Sequence, residues 1–344
     1  MIVAKYVRYV LNFHRPAVTS REIMEVKETW YLFLEHDGKK GIGECGMLRG
    51  LSSDDRPDFE EKLQWVCDHI HMGKEELYQS LIEFPSIQFA IEQAFLSLEQ
   101  EHPALLFPSD FTAGKVGIPI NGLLWMANPK SLELQFERKV SNEFRCVKMK
   151  VGSNKLYEEL RLLEQFRAQY GPDELEIRLD ANGAYTVEEV QSKLEAFAPY
   201  HIHSIEQPIA PGQWDAMHEL CQYSPIPIAL DEELIGVFET DQKIALLEAI
   251  QPQFIILKPS FIGGFQGTDT WIQLAKEHNI GWWITSALES NVGLNAIAQY
   301  TYLLGNPMPQ GLGTGTLYTN NIVSPLEVAQ AHLWYRPEKN WDIF

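Results

Sequence analysis

Cysteine is scarce and poorly placed for chemistry: Cys45, Cys67, Cys146 and Cys221 stand far apart, with no CxxC spacing. That pattern supplies neither a zinc knuckle nor a disulfide framework, and reduced thiols in a cytoplasmic protein are the expectation. No uncharged apolar run is long enough to cross a bilayer. The histidines include no HExxH or comparable spacing. Positive charge is also in short supply, with 28 Lys and Arg against 47 Asp and Glu and a net charge of −19. Such a surface repels nucleic acid and anionic membranes, which removes both from the expected partners. A small anionic carboxylate substrate remains admissible if the site itself concentrates cations. The opening MIVAKYVRYVLNF carries charges within an apolar alternation and lacks a small-residue cleavage site. It reads as a strand, not a signal peptide.

The 344 residues, 45% of them hydrophobic, suffice for a barrel with an attached cap. Two strand-like runs, Ile2–Phe13 and Thr29–His36, precede helical segments at Phe59–Met72 and Ile87–Glu99, an α+β pattern over residues 1–114. From 115 to 318 the pattern becomes a repeated alternation of short apolar strands and amphipathic helices. Strands are expected at Ile118–Leu124, Cys146–Val151, Glu176–Asp180, Ile202–Glu206, Ile226–Asp231, Phe254–Lys258, Gly281–Ser286 and Gln310–Leu312. Eight strands with helical spacers predict an α/β fold, a TIM-like barrel behind an N-terminal α+β capping domain. Leu156, Leu160, Leu163 and Phe166 set one apolar helical stripe. Val187, Val190, Leu194 and Phe197 set another, preceded by a Thr186–Glu189 capping box and ended by Pro199. Residues 319–344 are weakly periodic and are expected to pack back on the capping domain.

Buried parallel strands should be apolar, so charges at their carboxyl ends need a reason. Lys148 and Lys150, Asp180, Glu206, Asp231, Lys258 and Ser286 occupy such ends, and from Asp180 onward they recur at 26, 25, 27 and 28 residues. That interval is one βα unit, which sets each group on the next strand at the catalytic rim of a barrel. Alternation places Lys148 and Lys150 on one strand face, with Ile177 and Leu179 opposite Asp180, and Ile228 and Leu230 opposite Asp231. Three carboxylates make an all-oxygen site suited to Mg²⁺. Flanking lysines can move protons where burial and a nearby cation lower their pKa. By the same alternation, one ring of Trp282-Trp283 points into the barrel and the other against a helix.

KMK (148–150), DANGAY (180–185), IEQP (205–208), LDEE (230–233), LKPSFIGG (257–264) and SALESNVG (286–293) resemble, in order, the strand-end motifs of the enolase superfamily, in its muconate-lactonising branch. IPINGLLWM (118–126), FPSIQFAIEQA (84–94), GLGTGTLY (311–318) and RPAVTSR (15–21) are similar to the o-succinylbenzoate synthase family of menaquinone biosynthesis. The resemblance implies a (β/α)7β barrel and Mg²⁺ held by Asp180, Glu206 and Asp231. Lys150 would be the base and then the acid, Lys258 the cation facing it, and Lys148 an assistant that lowers the pKa of Lys150. Ser286, the backbone near Gly264, and Arg21 from the cap loop would contact substrate. Glu233 departs from the Ser found in many relatives. No Asp-x-Asp follows the last strand, which counts against dipeptide epimerases.

Three other readings compete with a lyase. A racemase of N-succinyl or N-acyl amino acids would use the same two lysine positions. A silent barrel used for binding would be expected to lack a ligand or a lysine, and none is missing. A Schiff-base aldolase on Lys258 would not require the carboxylates.

Overall fold

The computed structural model describes residues 1–18 and 23–342; Arg21 lies outside them. β1 (Val3–Val18) pairs antiparallel with β2 (Ile23–His36), and β2 with β3 (Lys39–Cys45). β3 is absent from the sequence reading because its two glycines break the apolar signal. Gly43 lies against the Ala90 carbonyl, where a Cβ would collide, so the strand rests directly on the helix beneath it. α1 (Phe59–Asp68), α2 (Lys74–Gln79) and α3 (Pro85–Glu99) follow. Trp30, Leu32, Leu63, Val66, Ile87 and Ile91 close a separate apolar core between these helices and the sheet.

The expected first barrel strand divides in two. β4 (Ile118–Pro119) leaves the barrel to pair with the C-terminal hairpin, and β5 (Gly122–Leu124) enters it. The barrel then alternates α4 (Pro129–Ser141), β6 (Cys146–Lys150), α5 (Leu156–Gln169), β7 (Glu176–Asp180), α6 (Val187–Phe197) and β8 (Ser204–Glu206). It continues with α7 (Trp214–Tyr223), β9 (Ile228–Leu230), α8 (Thr240–Ile250), β10 (Phe254–Leu257), the single turn α9 (Pro259–Ile262), α10 (Gly264–Glu277), β11 (Gly281–Ile284) and α11 (Asn291–Leu304). β5 to β11 form one parallel sheet in chain order. Parallel bridges Thr285↔Gly311 and Ile120↔Gln310 join its two edges, so the short segment at Gln310–Gly311 is the eighth strand. The alternation read from sequence holds: Met149, Ile177, Leu179, Leu230 and Trp282 face the helices, while Ala229, Ile256 and Trp283 meet inside.

The helical stripe on α5 is rotated from its expected position. Leu162, Leu163 and Phe166 are fully buried and Leu156 and Leu160 only half-buried. α6 begins on the expected Thr186–Glu189 capping box and ends at Phe197, with Pro199 in the 3-10 turn that follows. The chain after Tyr318 serves both units. Thr319 and Asn320 bond Asn12 of β1, whereas the hairpin β12 (Leu326–Ala329) and β13 (His332–Tyr335) pairs with β4. Among the described residues all four thiols are free, and no helix is long and apolar enough to cross a membrane.

The two units are bolted together at Gly263-Gly264. Both residues have positive φ, 92° and 67°. The Tyr78 hydroxyl donates to the Gly263 carbonyl at 2.6 Å, and Glu92 of α3 accepts from the first amides of α10, Phe265 N at 2.5 Å and Gln266 N at 3.1 Å. A Cβ on Gly264 would run into the Glu92 carboxylate and the Phe89 backbone. Burial pushes Glu92 up to about 7, against the pull of those amides. Its folded pKa thus exceeds its unfolded value, and the folded chain holds the extra proton between about 4.5 and 7. Stability from this group is therefore lost as pH rises through that window. Glu92→Gln is neutral throughout, so its Tm should improve relative to the parent between those pH values; parallel melting curves would mean that Glu92 titrates normally.

Candidate active site

The polar strand ends meet at the barrel mouth. The ladder pairs Lys150 with Asp180 and Asp180 with Glu206, so these three sit at one level. Glu206 pairs with Ala229, which leaves Asp231 two residues further along its strand, as the shear of a closed barrel requires. β7, β8 and β9 thus carry the carboxylates between the lysines of β6 on one side and Lys258, just past β10, on the other.

Ion pairs knit the groups together. The Lys148 ammonium lies 2.9 Å from Asp180 Oδ2 and 2.8 Å from Glu206 Oε2. Lys150 reaches Asp180 Oδ2 at 2.9 Å and Asn182 Oδ1 at 2.5 Å. Lys258 bonds Asp231. The three carboxylates are at most 2% exposed. Burial alone would raise Asp180, but Lys148 and Lys150 hold it well below the usual carboxylate range. Glu206 is pushed upward, by burial first and then by Asp180 and Asp231. Burial opposes charge on Lys148 and Lys258 as well, yet the facing carboxylates win and hold both above the usual lysine value. In this arrangement carboxylates, not neighbouring ammonium groups, set the protonation of Lys148 and Lys258.

Among the described residues no three acidic, His or Cys side chains converge closely enough to hold an ion as they stand, because lysine ammonium groups lie between the carboxylates. The donor set nevertheless suits a hard cation: all oxygen, buried, and with Glu206 Oε1 lacking a hydrogen-bond partner among the described residues.

Two residues missed by sequence reading shape the rim. Asn182 and Gln207 each follow a strand-end carboxylate by one or two positions and have φ of 47° and 38°. That region is costly for residues with a Cβ and is tolerated where surroundings over-determine it. Gln207 Oε1 accepts from the Asp231 and Glu233 amides, while its Nε2 donates to Glu233 Oε2 at 3.0 Å. Glu233 also accepts from Gly212 N at 2.7 Å. Glu233, whose role was open, therefore braces the loops after β8 and β9. Below the rim, Arg178 is fully buried, donates to Glu176 and the Pro309 carbonyl, and stacks 4.2 Å from the Trp283 ring. Strict alternation with Asp180 was the signal that could have placed it inside.

Above the rim opens a cavity of about 760 Å³. Lys148, Lys150, Asp180, Glu206, Lys258 and Ser286 line it, and Met24 with residues 48–51 of the N-terminal unit roofs it. Ser286 shares a hydrogen bond of 2.7 Å with Thr314. Asp231 lies beneath Lys258 and does not border the cavity. Gly264 does not border it either. Its backbone conformation serves the Glu92 contact between the two units, which corrects the expectation of a substrate contact there.

Residues 132–336 match the family model described as Enolase C-terminal domain-like. The chain is 43% identical to o-succinylbenzoate synthase of Desulfotalea psychrophila, over 94% of this chain and 96% of that one. It is 28% identical to o-succinylbenzoate synthase of Vibrio cholerae, over 92% of this chain and 91% of that one. The crystal structure of MenC from Desulfotalea psychrophila superposes with a TM-score of 0.86 at 39% identity, covering 97% of this chain and 99% of that one. Muconate lactonizing enzyme from Pseudomonas fluorescens shares the fold, with a TM-score of 0.82 at 19% identity, over 99% of this chain and 96% of that one. The chain belongs to the enolase superfamily, in the family of the o-succinylbenzoate synthases.

Proposed function

We propose that the chain dehydrates 2-succinyl-6-hydroxy-2,4-cyclohexadiene-1-carboxylate to o-succinylbenzoate, in the cytoplasm, with Mg²⁺ held by Asp180, Glu206 and Asp231. The observation that carries this reading is the placement of Lys150 and Lys258 on opposite sides of the carboxylate trio, at the floor of one cavity. When bound, Mg²⁺ supplies positive charge against the substrate carboxylate as its α-proton leaves.

The remaining work falls to side chains of this chain. Lys150 takes the α-proton at its Nζ and returns it to the hydroxyl on the neighbouring ring carbon, which departs as water and leaves an aromatic ring. Lys258 stays an ammonium and stabilises the negative charge that develops on the far side. Lys148, wedged between Asp180 and Glu206, holds those carboxylates in their relative positions. Ser286, at the wall, offers a hydroxyl to the acid arm. The roof formed by Met24 and residues 48–51 excludes water once the cavity is filled.

Three measurements test this. The purified protein with Mg²⁺ should bleach the diene absorbance of the substrate, and Lys150→Ala should lower kcat by about 10²–10⁴-fold; a variant within threefold of the parent would remove Lys150 from the proton path. Excess EDTA should abolish turnover and Mg²⁺ restore it, whereas a Schiff-base aldolase on Lys258 would stay active. Lys258→Arg keeps a cation but loses a proton carrier. Dehydration should persist in part while any racemisation of N-succinyl amino acids collapses; loss of both to the same degree would make Lys258 a proton carrier in both reactions.

A further inference from the structure

A second buried charge cluster lies behind the active-site wall and takes no part in the steps above. Glu289 is completely buried on the loop between β11 and α11. One of its oxygens accepts the Ser260 hydroxyl at 2.5 Å, two residues past Lys258. The other accepts Ala287 N at 2.7 Å, one residue past Ser286. A single carboxylate therefore ties together the segments that carry Lys258 and Ser286. Between those points the backbone is strained: Leu288, which lines the cavity, has φ of 64°, and its carbonyl is held by the Tyr318 hydroxyl at 2.6 Å.

The N-terminal unit grips the same loop from behind. Glu44, at 0% exposure, accepts Ser290 N at 2.8 Å, Ser290 Oγ at 2.5 Å and Gly293 N at 2.7 Å, which fixes the start of α11. Lys27 is 3% exposed, and its ammonium has no hydrogen-bond partner among the described residues. Burial works against its charge, while Glu44 and Glu289 lie within electrostatic reach and favour it, so the ammonium and the two buried carboxylates compensate one another in part. It sits three residues along β2 from Met24, in the cavity roof. There is no slack in this packing. A Cβ on Gly46 would lie 2.8 Å from Glu289 Cγ, and one on Gly293 also 2.8 Å from it.

We infer that Glu289 is a positioning residue for the acid arm of the substrate: it fixes Ser286 and Leu288 relative to Lys258, and Lys27 and Glu44 make that placement depend on the docked N-terminal unit. The inference rests on the dehydratase reading for its substrate, although the network itself does not. Glu289 touches no substrate. Its effect should therefore pass through Ser286 and appear in KM, with the proton chemistry of Lys150 left intact.

The test is a double-mutant cycle on the full-length enzyme with saturating Mg²⁺, reading kcat, KM and Tm for Glu289→Gln, Ser286→Ala and the pair. Glu289→Gln should raise KM by about 10- to 100-fold, the worth of a buried charged hydrogen bond, with kcat within about threefold. The pair should be no worse in KM than the more severe single variant. Lys27→Met should raise KM in the same direction, and it provides the readout if Glu289→Gln does not fold. An unchanged KM overturns the assignment, as do KM effects that multiply in the pair, or a fall in kcat and Tm at constant KM. If the parent does not turn over the diene acid, the dehydratase reading fails, and the same cycle is read on racemisation of N-succinyl amino acids.

Discussion

The structure depends on the neutralisation of buried charge at the barrel mouth. Asp180, Glu206 and Asp231 are taken out of water together, which is costly unless opposite charge meets them there. Lys148, Lys150 and Lys258 supply the compensation: Lys148 and Lys150 from β6 meet Asp180 of the neighbouring β7, Lys148 reaches past it to Glu206 of β8, and Lys258 meets Asp231. Removing one member leaves a buried charge without its partner, which is more damaging than never having built the pair. In the barrel below, Arg178 and Trp283 fill the centre with a stacked cation and ring.

Much of that centre was legible in the sequence because it obeys local rules. A parallel strand shows its two faces in alternate residues, so KMK, EIRLD and IALD announce which side chains share a face, and the βα repeat announces which strands are neighbours. What escaped the sequence depends on pairings across long separations. Ile118–Leu124 reads as one strand, yet its first two residues are claimed by a hairpin more than two hundred residues away. Gly264 reads as a glycine near a ligand, a common use of such a residue, whereas its partner is Glu92 in the other unit. Glu233 departs from a familiar motif, and only the folded chain shows it facing Gln207 and Gly212. The stripe on α5 was misplaced by part of a turn because Leu160, Leu162 and Leu163 leave the helical phase open to small rotations.

The N-terminal unit is more than a lid over the cavity. Glu92 caps α10, which follows the Lys258 strand, and Glu44 caps α11, which follows the Ser286 strand. In both places a buried carboxylate of one unit meets the amides that open a barrel helix, where the helix dipole favours negative charge. The loops on which the site is built are thus held by a second, independently cored body.

This arrangement links the charge of the carboxylates to that of the lysines facing them. Lys148 is an ammonium because Asp180 and Glu206 face it, and Lys258 because Asp231 does. A divalent cation held by the trio, as proposed, would compete for those same oxygens. Whatever share of the carboxylate charge it took would no longer be available to hold protons on Lys148 and Lys258. As they stand, Lys148 and Lys258 neutralise the carboxylates; a cation held by the trio would take over part of that task. A carboxylate trio flanked by lysines is therefore one device, in which each half sets the protonation of the other.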